Sequence, residues 1–81
     1  MIKLKLRFIG GQLHRSHTSA IYRLSDRYQI RMPVDLLQDN LATVSRNHEF
    51  LVEDKQEGGS ESLNWMELTR RFDTVIPITK E

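Results

Sequence analysis

His14 and His17 are the first residues whose type and spacing could do chemistry. Two imidazoles three positions apart can share one metal ion, but a zinc site takes three or four ligands. His48 is the only other histidine, and there is no cysteine. With no third ligand nearby in sequence, no metal is expected. The pair reads as solvated loop residues that add positive charge in mild acid. Gly10-Gly11 follows an apolar-alternating stretch and invites a phosphate-loop reading. The required lysine and the wider glycine pattern are missing, so a turn or bulge accounts for it better. The acidic run Asp54 to Glu61 surrounds Gly58-Gly59 but lacks the alternating ligands of a calcium loop. No serine sits in a nucleophile-elbow pattern, and no Ser-His-acid spacing is suggested. The chain therefore reads as non-enzymatic, with no catalytic residue and no cofactor.

Charge is the more informative chemistry. The net charge of +1 over 81 residues conceals two opposed halves. Residues 1–34 carry Lys3, Lys5, Arg7, Arg15, Arg23, Arg27 and Arg31 against Asp26 alone, or +6. Residues 35–81 carry five basic and ten acidic residues, or −5. Clustered cations attract polyanions, because neutralising phosphates releases condensed counterions. Arginine adds a bidentate grip on phosphate or carboxylate. Two plain alternatives stand beside this. A wet sheet face needs polar residues anyway, and the acidic half could fold over the basic one and neutralise it.

The elements that must position these cations follow from periodicity. Ile2 to Ile9 alternates apolar residues with Lys3, Lys5 and Arg7, the period-two signature of a half-buried strand. Gln12 to Ser19 is polar and mixed, and reads as a loop or a poorly defined arm. Ala20 to Leu24 and Tyr28 to Met32 read as a hairpin around Ser25-Asp26-Arg27. Tyr22, Leu24, Tyr28, Ile30 and Met32 would face inward, and Arg23, Gln29 and Arg31 outward. Pro33 stops the strand. Val34, Leu37, Leu41 and Val44 then follow helical spacing, so Pro33 to Ser45 is expected as an amphipathic helix with Asp35 in its first turn. His48 to Asp54 is expected as a strand and Glu57 to Glu61 as a loop. Ser62 could cap a helix through about Arg71, with Trp65, Leu68 and Phe72 on one face. Leu63, Trp65 and Leu68 also partly fit a strand. Thr74 to Thr79 is expected as a last strand, with Pro77 placing it at an edge or a bulge.

These elements sum to an α+β fold. The expectation is a small antiparallel sheet of four to five strands with one or two helices packed on its apolar face. Residues 1–81 form a single compact domain, as 9.5 kDa leaves no room for a second core. Leu, Ile, Val and Phe number 23 of 81, above the range of a disordered chain. No apolar run approaches the ~18 residues that span a bilayer, and no signal peptide is apparent. With cysteine absent, the reading is a cytoplasmic protein without membrane contact. A modest core and a free sheet edge both fit a homodimer.

Tyr28-Gln29-Ile30-Arg31-Met32-Pro33-Val34-Asp35-Leu36-Leu37 resembles the strand–Pro–helix junction of swapped-hairpin transcription regulators and antitoxins. The resemblance covers ten residues. It implies a dimeric DNA-binding regulator. The amino-terminal strand lies outside that pattern, and the glycine-centred turn expected after the helix is missing.

The leading expectation is a small regulatory protein whose basic sheet face engages nucleic acid or a nucleic-acid-handling protein. Lys3, Lys5, Arg7, Arg23 and Arg31 would supply the attraction if their strands share one sheet, with Arg15 and Arg27 at the margin. Single-strand binding needs exposed aromatics between cations, and Phe8, Tyr22 and Tyr28 fall on the core side. A protein with an acidic surface is therefore a comparable partner. The alternative is a protein–protein inhibitor or adaptor of the phage or mobile-element type. It would act by occlusion through Glu53, Asp54, Glu57 and Glu61, through an edge strand near Thr74 to Thr79, or through Trp65, a residue favoured at interfaces.

Overall fold

Alternation at the amino end produces the strand that organises half of the molecule. The computed structural model describes residues 3–9, 12–38 and 40–80. Strand β1, Lys3–Phe8, buries Leu4, Leu6 and Phe8 and exposes Lys3, Lys5 and Arg7. Its expected beginning at Ile2 and the Gly10-Gly11 turn lie outside the described residues.

The hairpin also forms as expected. Strands β3, Ser19–Arg23, and β4, Tyr28–Pro33, pair antiparallel with Tyr22 opposite Ile30. Tyr22, Leu24, Ile30 and Met32 are buried, Tyr28 is half-buried, and Arg23 and Arg31 are exposed. Residues 12–19 are not the loop their polarity suggests. Leu13–Arg15 forms β2, an edge strand on β3, with Leu13 leaning on the core.

The largest departure is at Pro33 to Ser45, whose described residues contain no α-helix. Val34–Leu36 makes one 3-10 turn, and Leu37–Gln38 and Leu41–Ser45 are strands β5 and β6. Leu37, Leu41 and Val44 satisfy helical spacing. Residues 41–45 satisfy period two as well, and Ala42 and Val44 are buried in that register. The tie is broken by β1, whose backbone groups need partners on both sides. β6 supplies one side, with Lys3 opposite Ser45 and Arg7 opposite Leu41. The resemblance to the strand–Pro–helix junction therefore ends at Pro33.

Phe50–Asp54 is β7 and Ser60–Leu63 is β8. Gly58 and Gly59 join them at φ 80° and 85°, left-handed backbone that favours glycine. Ser62 belongs to β8, opposite Leu51, and caps nothing. The cap is Asn64. Its side-chain oxygen accepts from the Glu67 N–H at 2.9 Å, and the Glu67 carboxylate accepts from the Asn64 N–H at 3.2 Å. Helix α1, Trp65–Arg71, follows and buries Leu68, with Phe72 just beyond it. The last strand, β9, Val75–Lys80, lies on the other side of β1. Its register shifts between Lys5 and Leu6, beside Pro77, as the edge-or-bulge expectation required.

The strands form two antiparallel sheets, ordered β5-β6-β1-β9 and β2-β3-β4-β7-β8. The single expected sheet is thus two, and the described residues are β-rich with one short α-helix. Their inward side chains make one buried cluster, which α1 joins through Leu68. Phe8 of one sheet stacks on Tyr22 of the other, ring centroids 4.2 Å apart at 20°. A second sheet gives the inner face of the first an apolar cover that the absent helix would otherwise have supplied.

Candidate polyanion-binding face

Topology divides the basic residues. β1 belongs to one sheet, and β3 and β4 to the other. Lys3, Lys5 and Arg7 therefore do not share a face with Arg23 and Arg31. The five-cation surface expected from the sequence is corrected to two separate sets.

The hairpin set is neutralised. Register places Tyr28 opposite Asp54 and Gln29 opposite Glu53, which brings β7 carboxylates against β4 cations. Arg27 donates from Nε and Nη2 to the two oxygens of Asp54 at 3.0 and 2.8 Å, and Glu57 lies 3.5 Å from the same guanidinium. Arg31 donates to Glu53 at 3.0 Å, and the Gln29 amide donates to that carboxylate at 2.8 Å. Arg23 pairs with Asp26 across the turn. The Arg27 fork holds Asp54 down to about 2, assisted by the Gln56 and Glu57 N–H groups. Arg31 and then Gln29 hold Glu53 below its ordinary value. Asp54 in turn raises Arg27.

The acidic residues offered as an alternative interface are engaged in the same way. Glu61 pairs with Arg71 of α1, whose guanidinium lies 5.6 Å from the Tyr28 ring centre and 5.4 Å from that of Phe72. Trp65 is half-buried against the core. Its neighbour Met66 is exposed. Arg15 stands on edge strand β2, and Arg27 covers Tyr28 at 5.3 Å. His14 and His17 are exposed on and beside β2, and no group of three metal-ligating side chains gathers among the described residues.

The β1 set has different surroundings. Lys3, Lys5 and Arg7 repeat every second residue, about 6.7 Å apart along the strand. On β6 the residues opposite them are Ser45, Thr43 and Leu41, and on β9 Ile76 stands opposite Arg7. None of these is acidic. Asp35, in the 3-10 turn, joins Lys3, Lys5, Leu36, Gln38 and Thr43 around a shallow depression at one side. Among the described residues, neither Lys3 nor Arg7 has a salt-bridge partner.

Sequence reasoning missed the apolar rim of this face. Ile9 is 45% exposed, Ile76 39% and Ile78 40%. Ile9 continues the outward row of β1 and donates its N–H to the Thr74 carbonyl at 2.7 Å. The available signal was Ile76-Pro77-Ile78. A proline-marked edge strand with isoleucines at alternate positions leaves apolar side chains outside the core.

No family model, curated protein or solved structure matches this chain. No helix among the described residues is long and apolar enough to cross a membrane.

Proposed function

We propose that the protein is a small non-enzymatic binding module that docks on a polyanionic surface through the outer face of the four-stranded sheet. Lys3, Lys5 and Arg7 supply the attraction, and Thr43 and Ser45 add hydroxyl donors beside them. The observation that carries this reading is a contrast in surroundings. Ser45 stands opposite Lys3, and Leu41 and Ile76 stand opposite Arg7, all uncharged, whereas Arg23, Arg27 and Arg31 are each matched by a carboxylate. Cations already paired within the fold must give up a partner to bind another, which weakens their net attraction. Arg23, Arg27 and Arg31 therefore serve the fold more than the partner.

Retention on immobilised heparin, a generic polyanion, tests this. Lys3→Gln/Lys5→Gln/Arg7→Gln should elute at distinctly lower salt, while Arg23→Gln/Arg31→Gln should elute near wild type. Against single-stranded nucleic acid, three lost phosphate contacts should flatten the log–log salt slope by roughly 2. Equal loss in both variants would reject the assignment to β1.

A further inference from the structure

Resting on that reading, we propose that the outer face of the four-stranded sheet binds an acidic amphipathic helix of a partner protein, with carboxylates on β1 and aliphatic side chains on the β9 rim. The face is chemically two-sided. One line carries Lys3, Lys5 and Arg7, and beyond Arg7 the same row continues into Ile9. The adjoining strand, about 4.8 Å away, carries exposed Ile76 opposite Arg7, and then exposed Ile78.

Spacing fits a helix. Alternate residues of a strand repeat about every 6.7 Å. Residues four apart on a helix repeat about every 6 Å. Three carboxylates at successive fourth positions therefore stay within reach of the long Lys and Arg side chains. Positions three away from each carboxylate lie on the adjoining stripe of the same helix. Aliphatic residues there would cover Ile76, Ile78 and Ile9 while the carboxylates meet the cations. Each contact removes apolar area from water that the protein alone leaves exposed.

The same rim argues against the other occupants. Single-stranded nucleic acid is held by cations interleaved with exposed aromatics. The nearest rings, Phe8 and Tyr22, are stacked inside the core, and isoleucine offers no matching stack to a base. An added strand along β9 is disfavoured, because Pro77 has no N–H and the register shift beside it disturbs the edge. A second copy of this chain brings few carboxylates that are free in a row. Its Glu53, Asp54, Glu57 and Glu61 are already held by arginines. Its only α-helix among the described residues is the seven-residue α1, whose Glu67 serves the cap.

The test uses two probes on the whole protein. One is a synthetic helical peptide with glutamate at every fourth position and leucine on the adjoining stripe. The other is a single-stranded oligonucleotide of equal charge. Affinities are read by fluorescence anisotropy for wild type, Lys3→Gln/Lys5→Gln/Arg7→Gln and Ile76→Thr/Ile78→Thr, with circular dichroism confirming that each variant folds. The expected result is a peptide bound more tightly than the oligonucleotide and weakened about tenfold or more by either substitution set. A scrambled peptide of the same composition should also bind more weakly. Cation dependence without isoleucine dependence, or preference for the oligonucleotide, would overturn the helix proposal and leave the polyanion reading standing. If neither probe binds, both fall.

Discussion

Arg27 and Asp54 form a two-pronged bridge, Nε to Oδ1 at 3.0 Å and Nη2 to Oδ2 at 2.8 Å, from the turn of the β3–β4 hairpin to the end of β7. The Arg27 carbonyl also accepts the Lys55 N–H at 2.8 Å, so backbone and side chains fasten the same corner. Two halves that look opposed in charge are joined here, with Glu53, Asp54 and Glu57 of the acidic half engaged by arginines of the hairpin.

The bridge predicts acid sensitivity with a definite sign. Asp54 sits at about 2 in the folded protein against an ordinary 3.8, so between those values the unfolded chain binds more protons. Its stabilisation is present above about pH 4 and is lost as pH falls through about 2. Glu53, lowered from 4.5, acts in the same direction and begins to lose its contribution at a slightly higher pH. Urea midpoints should therefore fall steadily below about pH 4.5. Asp54→Asn/Glu53→Gln should start lower at neutral pH and show a flatter profile. An unchanged acid slope in that variant would detach the stability from these pairs.

Phe8 and Tyr22 predict where the domain is most vulnerable. Their stacked rings join the two sheets, and both are essentially sealed from solvent. Phe8→Ala should destabilise by about 3–5 kcal/mol, through lost burial and the cavity left behind. In a domain of this size that approaches the whole of its stability. Tyr22→Phe removes the hydroxyl that donates to Asn40 at 3.3 Å while keeping the stacked ring, and should cost about 1 kcal/mol. Urea denaturation at neutral pH separates the two.

The Asn64 cap predicts a smaller, local effect. Asn64→Ala should cost about 1 kcal/mol, whereas Asn64→Asp retains the accepting oxygen and should be near neutral. Hydrogen exchange should show the loss concentrated in the first turn of α1, at the Glu67 amide. Uniform loss of protection across both sheets would mean that α1 is more than a marginal element.

Where one physical cause decided the structure, the sequence was legible. The alternation in β1 and in the β3–β4 hairpin could bury its apolar residues in only one way, and the inward and outward assignments there match the fold. Leu41 to Ser45 served two periods equally, and only the unpaired edge of β1, a partner distant in sequence, chose between them. Ser62 and Asn64 both suit a cap, but pairing with Leu51 commits Ser62 to β8. The basic residues were identified one by one as outward-facing. Their division between two sheets depended on strand order, which local alternation does not encode. For the same reason the arginine–carboxylate matching became visible only once β4 and β7 were neighbours, and the isoleucine rim only once β9 was seen at an edge.

That strand order has a consequence in time. After β4 the chain leaves one sheet, lays β6 against β1 of the other with β5 outside it, and then returns for β7 and β8. Leu6 meets its second neighbour only at Pro77, about seventy residues later. Pairings this remote in sequence must overcome loop-closure entropy before they stabilise anything. Neither sheet can therefore be completed from an uninterrupted stretch of chain. During synthesis β1 keeps one edge without its partner until β9, the last strand of its sheet, has been made.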